Sequence, residues 1–483
     1  MHETEGRKPP AATTSDSQRK LVILGGGSAA FSAALKAADL GVHATIINDG
    51  LPMGGTCVNV GCVPSKTLIR AAEALHRAVR PPPFAGIETS GKLLDFKAVI
   101  DQRRELVEGL REAKYANVIG GNPNITFLEG RGRLVDARTV QVNGREIRAD
   151  AVLIATGARP SIAPVPGLES VKVLTNESAF ELDALPESLI VLGGRYIALE
   201  LAQMFARMGS KVTVLQRSAR ILPDETSDLT DALTGYLREE GLEIVTGVEL
   251  LSAAEEGGKA IIRTRVNGAP RTFSAARVLA ATGRAYTTGN LGLETVGVAT
   301  NADGSIQAGE TLETSVPGIY AAGDVLGENL FVYTAAYEGA LAAENALNGS
   351  GRQRDYTGLP WVIFTDPQVA GVGLNEKGAA ARGIEADATL LPLTHVPRSL
   401  AARDTRGFIK LVRERATDRL LGARILAPEG SELLMEISLA IKFGITARQL
   451  ASSFHPYLTL SEGVKLAALT FDQDVEKLSC CAG

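Results

Sequence analysis

From Leu21 onward the chain alternates short runs of branched apolar residues with longer stretches in which apolar positions recur every three or four residues. "LVILGGGSAAFSAALKAADLGVHATIIND" opens the pattern. It predicts an apolar strand, a glycine turn, an alanine-rich helix and a second strand at residues 43 to 48, together a βαβ unit. A second copy, "SLIVLGGRYIALELAQMFARMGSKVTVLQR", occupies residues 188 to 217. Each copy is followed by a similar strand-ending run, "LIATGARP" at 153 to 160 and "LAATGRAY" at 279 to 286. After "TSVPGIYAAGDV", residues 314 to 325, an alanine-rich helix runs to about residue 348, and "GSGRQRDY" reads as a linker. From 356 the strands "WVIF", "ATLLPL" and "GFIKLV" precede two helical stretches, "SELLMEISLAIKFGI" and "TARQLASSF", as in an α+β domain.

The turns carry chemistry. Gly25, Gly27 and Ala30 have the G-x-G-x-x-A spacing, in which glycines let backbone amides approach a pyrophosphate at a helix N-terminus. In the second copy, Gly193 and Ala198 keep that spacing, but Arg195 stands at the middle glycine. An acidic residue at the end of the second strand commonly holds the adenosine ribose. Here the first copy offers Asn48 with Asp49 beside it. The second offers Gln216, then Arg217 and Arg220, which removes repulsion and supplies positive charge for a 2′-phosphate, favouring NADPH over NADH. The fold class is therefore α/β, with two Rossmann-like dinucleotide-binding domains and a C-terminal α+β domain. The predicted boundaries are a disordered leader at 1–20, a first nucleotide domain at 21–160 completed by 286–355, a second at 161–285, the α+β domain at 356–474 and a tail at 475–483.

Composition narrows the partners. An apolar fraction of 45% over 483 residues supports well-filled cores. A net charge of −5 with dispersed Lys and Arg offers no basic field for nucleic acid. Residues 1 to 20 lack the apolar core of a signal peptide, and no charge-free run of about 18 apolar residues marks a membrane span. A cytoplasmic enzyme is expected. There are four cysteines in two close pairs, Cys57 with Cys62 and Cys480 with Cys481, which points to redox or metal chemistry rather than a secreted disulfide scaffold.

"GGTCVNVGCVPSK", residues 54 to 66, sets Cys57 and Cys62 five apart before a predicted helix start at Pro64-Ser65-Lys66, and a helix N-terminus stabilises a thiolate. The spacing permits a turn that brings the sulfurs together, so the pair can cycle between dithiol and disulfide. With the two glycine motifs and "YAAGDV", this segment resembles the flavin-dependent pyridine nucleotide disulfide oxidoreductases over nearly the whole ordered chain. The resemblance implies FAD contacts from Gly25, Gly27, Ala30, Asn48, Asp49, Gly50, Gly55, Thr56, Lys66, Gly132, Asp324 and Val332, and NADPH contacts from Gly193, Arg195, Ala198, Gln216, Arg217 and Arg220. It also implies that Lys66 sits near the flavin ring paired with Glu200, that Cys62 is the thiolate against the flavin, and that Cys57 is the outer sulfur. It further implies a homodimer with active sites at the subunit interface and residues 356–474 as its dimerisation domain.

Disulfide reductases of that family carry a histidine base five residues before a glutamate near the C-terminus. In "FHPYLTLSEG" the glutamate is Glu462, and Tyr457 stands where the histidine would be, with His455 two residues off. A phenol with its ordinary pKa near ~10 is a poor acid–base partner for a thiol at neutral pH. Adjacent cysteines such as Cys480 and Cys481 make only a strained disulfide but offer two soft thiolates to a two-coordinate metal, with Hg(II) the obvious candidate. This combination resembles the members of the family that reduce Hg(II) to Hg(0). The expectation is that Cys480 and Cys481 take Hg(II) from small thiol adducts and pass it to Cys57 and Cys62 of the partner subunit, with Tyr115 and Tyr457 beside the metal path. Residues 1 to 20 contain no cysteine, so delivery is expected to rely on the tail or on external thiols. A small-molecule disulfide reductase using His455 and a non-enzymatic mercury-sequestering protein are the alternatives.

Overall fold

The computed structural model describes residues 19–477, and Cys480 and Cys481 lie outside the described residues. The chain divides into two compact units, one drawn from Met1–Asn59, Leu110–Arg159 and Ala285–Arg354, the other from Val60–Gly109, Pro160–Arg284 and Asp355–Gly483. The division falls between Asn59 and Val60, inside the cysteine motif.

The first unit is built on a five-stranded parallel sheet in the order Ile319–Ala321, Ala151–Ile154, Lys20–Leu24, His43–Asn48, Ile125–Glu129. Its central strands are covered on both faces, which is why they read as unbroken apolar runs rather than alternating ones. Helix Ser28–Asp39 connects the two strands of the first motif, and its buried residues are Phe31 and five alanines, Ala29, Ala30, Ala33, Ala34 and Ala37. Side chains that small let helix Val332–Asn348 come close: a Cβ on Gly339 would lie 2.1 Å from the Ala29 carbonyl oxygen. A three-stranded antiparallel meander over Arg133–Asp136, Thr139–Val142 and Arg145–Arg148 completes the unit.

The second unit contains a parallel sheet in the order Glu243–Val245, Lys211–Leu215, Ser188–Leu192, Arg277–Ala280, Val173–Leu174. Beside it lies an antiparallel meander over Val248–Glu256, Lys259–Val266 and Ala269–Ala275. The segment after 356 forms an antiparallel sheet in the order Pro360–Ile363, Gln368–Gly373, Leu420–Ala427, Phe408–Glu414, Ala386–Pro392. Helices Leu434–Lys442 and Leu460–Leu469 pack their apolar faces into its core. The same unit holds helix Cys62–Val79, whose Leu68 and Ala72 share a core with Leu199, Leu201 and Ala202 of helix Tyr196–Met208.

That helix starts earlier than the sequence predicts. Its first intrahelical bond runs from Ser65 N to Gly61 O at 3.0 Å, so Cys62 opens the helix and Pro64 sits within the first turn, where its missing N–H has no partner to lose.

The Gly339 contact gives a direct test of the helix pair in the first unit. Gly339→Ala should lower stability by about 1–3 kcal/mol, because the added methyl meets backbone that has no rotamer to escape into. Thermal unfolding checks this, and an unchanged midpoint would mean that the two helices separate freely.

Candidate active site

The turn bearing Cys57 rests on the first glycine loop. Gly54 N donates to Gly26 O at 2.8 Å, and a Cβ on Gly55 would lie 2.6 Å from Gly27 Cα. Gly54 and Gly55 have φ of +94° and +63°, a region that glycine enters without strain. These two residues let the one-turn helix Gly55–Asn59 lie directly on the backbone of the nucleotide motif. Buried Asn59 closes the turn, its amide nitrogen within 3.2 Å of the carbonyls of Pro52, Met53 and Gly55. Thr56 and Cys57 are half-buried on this turn.

Cys62, exposed, opens the helix Cys62–Val79. Gly61 caps it without a side chain and the first turn holds no acidic residue, so the helix end presents its partial positive charge at Cys62. One turn on, the Lys66 ammonium lies 2.7 Å from Glu200 Oε2 and 4.6 Å from the centre of the Phe364 ring. Glu200 is nearly buried and spends its second oxygen on Phe364 N at 2.9 Å. A carboxylate removed from water needs such partners, and these two fix its orientation.

At the first glycine loop, Gly25 has φ +115°, and a Cβ there would lie 2.2 Å from Ala155 O. The helix Ser28–Asp39 that follows has neither a side-chain cap nor an acidic residue in its first turn. Thr156 Oγ1 is buried there without a hydrogen-bond partner among the described residues. Open amide donors and an orphaned hydroxyl fit an anionic dinucleotide. Ala30 is fully buried behind them. Asn48 donates to Leu51 O at 2.8 Å and lies over Gly26, while Asp49 is ion-paired with Arg131 at 3.0 Å. Gly50 follows at φ +100°. Gly132 fills a packing role, since a Cβ there would lie 2.4 Å from Leu24 Cδ2. Asp324 opens the short turn Asp324–Leu326, anchored where Gly323 N donates to the buried Glu338 at 2.7 Å, and Val332 opens the following helix. The sequence reading missed Glu338; its signal was a lone carboxylate on the apolar face of an alanine-rich helix.

The second loop repeats this geometry. Gly193 also has φ +115°, and a Cβ there would lie 2.4 Å from Ala281 O. Arg195, at the middle-glycine position, has φ −107° and ψ −168°, close to the −94° and −168° of Gly27. That backbone is open to any residue, so the departure from glycine leaves the turn intact. The Arg195 guanidinium pairs with Asp224. Ala198 is buried, and Gln216 is buried against Gly194. Arg220 pairs with Asp231 at 3.2 Å, whereas exposed Arg217 has no carboxylate partner among the described residues.

The C-terminal positions are occupied in a particular way. Thr459 caps the helix Leu460–Leu469, its Oγ1 accepting from Glu462 N at 3.2 Å, and Glu462 Oε2 in the first turn accepts from Leu458 N at 3.0 Å. His455 lies with Nε2 3.1 Å from Glu436 Oε2 and Nδ1 3.2 Å from Ser453 O. Tyr457 is half exposed, and Phe454 and Phe443 nearby are fully and largely exposed apolar surface. Tyr115 belongs to the first unit, where it stands edge-on to Phe31 with centroids 4.7 Å apart and abuts Gly54.

Residues 19–340 match the model of the pyridine nucleotide-disulphide oxidoreductases, and residues 359–468 match the dimerisation domain of the same group. The chain belongs to this family. FAD and NADPH are the cofactors of the family. Among curated relatives, a Staphylococcus aureus mercuric reductase is 43% identical over 94% of this chain and 83% of its own length. A Streptomyces lividans mercuric reductase is 42% identical over 94% of this chain and 96% of its own length. Among solved structures, LpdA from Mycobacterium tuberculosis matches with TM-score 0.85 at 28% identity, covering 94% of this chain and all of that one. The Cu(II) complex of the Escherichia coli flavoprotein disulfide reductase RclA matches with TM-score 0.84 at 28% identity, covering 94% of this chain and 99% of that one. Among the described residues of this oxidoreductase, no helix is long and apolar enough to cross a membrane.

Lys66→Met strands the Glu200 carboxylate with only Phe364 N, and should cost about 1–3 kcal/mol in thermal or denaturant unfolding. Glu200→Gln, which keeps an acceptor for Phe364 N, should cost less. Equal stability of all three proteins would show that the pair holds nothing in place.

Proposed function

We propose that this oxidoreductase is an NADPH-dependent mercuric reductase. NADPH and Hg(II) held by two thiolates are converted to NADP+, a proton, Hg(0) and the two released thiolates. The observation that carries this reading is the identity of 41–43% over 94% of the chain to mercuric reductases from several bacteria. The C-terminal geometry supports it: a disulfide reductase needs a base for its leaving thiol, yet Tyr457 stands at that position, Glu462 is engaged with backbone and His455 with Glu436. Reduction of a metal held by thiolates requires no such base. A purely sequestering role is disfavoured by two nucleotide cradles that retain their close-approach glycines.

The first glycine loop, with Gly25 and Gly27, would hold FAD, whose chemistry there would be to relay two electrons from NADPH to the thiol-held metal. The protein's part is to hold and hand over the ion. Cys62 at its helix end is kept as a thiolate, Cys57 is the outer sulfur, and Cys480 and Cys481 capture Hg(II) from low-molecular-weight thiol adducts. Each transfer exchanges one thiolate for another, ending on Cys57 and Cys62 of the partner subunit, with the phenols of Tyr115 and Tyr457 beside the path. The enzyme acts as a cytoplasmic homodimer. Arg217, with no carboxylate partner among the described residues, recognises the 2′-phosphate of NADPH, with Arg220 alongside.

FAD-loaded protein given NADPH and Hg(II) in excess thiol should consume NADPH and release mercury vapour in equal amounts. Cys57→Ala should abolish both, and replacing Cys480 and Cys481 by Ala should lower turnover about tenfold when the metal is presented as thiol adducts. NADPH loss with oxidised glutathione but not with Hg(II) would instead make this a disulfide reductase.

Arg217→Ala should raise the KM for NADPH about tenfold, the equivalent of ~1.4 kcal/mol from one charge-assisted contact, and leave the KM for NADH unchanged. Parallel shifts for both nucleotides would remove the 2′-phosphate from its role.

A further inference from the structure

Asn59 has a second contact, and no part of the proposed reaction uses it. While its amide nitrogen closes the turn of Cys57, its Oδ1 accepts from Arg111 at 3.2 Å, across 52 positions of sequence. Arg111 immediately precedes a π turn, Glu112–Ala116, which interrupts the helical hydrogen-bond ladder for five residues. Tyr115 lies in that turn, and its ring abuts Gly54: a Cβ on Gly54 would lie 3.1 Å from two of the ring atoms. Two routes therefore lead from Arg111 to the same short segment. The side chain reaches its C-terminal end through Asn59, and the main chain reaches its N-terminal end through Tyr115.

We propose that Arg111 is a positioning residue that, through Asn59, locks the Cys57 turn in register with Tyr115, so that the outer thiol and the phenol meet an arriving soft metal ion as one rigid frame. Polarity and distance act together here. The three carbonyls around the Asn59 nitrogen demand a donor, which leaves the amide oxygen pointing outward and in need of one. Arg111 supplies it from the position immediately before the π turn, so the orientation of the amide and the placement of the turn are set together. This assignment rests on the mercury-reduction reading only for its consequence in turnover.

The test uses FAD-loaded dimer, as wild type, Arg111→Ala and Arg111→Lys, the last keeping a donor for Asn59. After reduction with NADPH, alkylation of Cys57 and Cys62 by iodoacetamide is followed by mass spectrometry, and amide hydrogen exchange is read over residues 52–59. Arg111→Ala should change the alkylation rate of Cys57 at least threefold with Cys62 unchanged, speed exchange over 52–59 about tenfold, and raise the KM for thiol-bound Hg(II) several-fold. Arg111→Lys should restore at least half of each effect. Wild-type alkylation and exchange in Arg111→Ala would overturn the assignment, as would equal changes at both cysteines, which mark general loosening. If the wild-type protein fails to reduce Hg(II), the proposed function falls, while the alkylation and exchange results still decide the role of Arg111.

Discussion

In each of the two parallel sheets a carbonyl oxygen occupies the space where a side chain would otherwise stand. Ala155 O blocks any Cβ on Gly25, and Ala281 O blocks any Cβ on Gly193. The chain can leave its strand at φ +115° only because both positions are glycine, and it then enters a helix whose first amides face outward. The rest of the candidate site depends on that exit. Gly26 and Gly27 present bare backbone on which Gly54 and Gly55 settle, and the settling fixes where the Cys57 turn begins. A methyl group at any of several of these positions would therefore disturb the nucleotide cradle and the thiol together.

Around this frame, buried carboxylates do a repeated job. Glu200 accepts from Phe364 N, Glu338 from Gly323 N and Glu462 from Leu458 N. Each acid lies on a helix and fixes the amide of a loop that carries or flanks a candidate functional residue: Lys66 beside Phe364, Asp324 after Gly323, Tyr457 before Leu458. Charge-assisted bonds to backbone amides are stronger than neutral ones, so a loop can be held without a side chain of its own.

The two βαβ units were legible because buried parallel strands and an alanine-faced helix leave a strong apolar signature, with strand His43–Asn48 ending where the pattern does. The meanders over Arg133–Arg148 and Val248–Ala275 were not, because their short strands alternate with exposed charge and resemble loop. The strands Gln368–Gly373 and Leu420–Ala427 were hidden by glycines that only the tertiary structure demands: Gly371 leaves room for the Trp361 ring, and Gly422 for the Leu374 backbone. In the candidate site, the cysteine spacing and the glycine turns could be read directly. The contacts made by Asn59, Glu338 and Arg111 could not, since each partner lies far away along the chain or, for Asn59, depends on a turn that forms only on the glycine loop.

The π turn at Glu112–Ala116 also has a consequence for how this chain tolerates changes in length. A π turn is a helix carrying one surplus residue, and each residue of a regular helix advances the phase by about 100°. Deleting one position there would leave a regular helix and keep the phase of the residues on either side. The residues of the turn itself, Tyr115 among them, would face a new direction. The segment is thus a place where a change of chain length would act on the residue that faces the Cys57 turn, Tyr115.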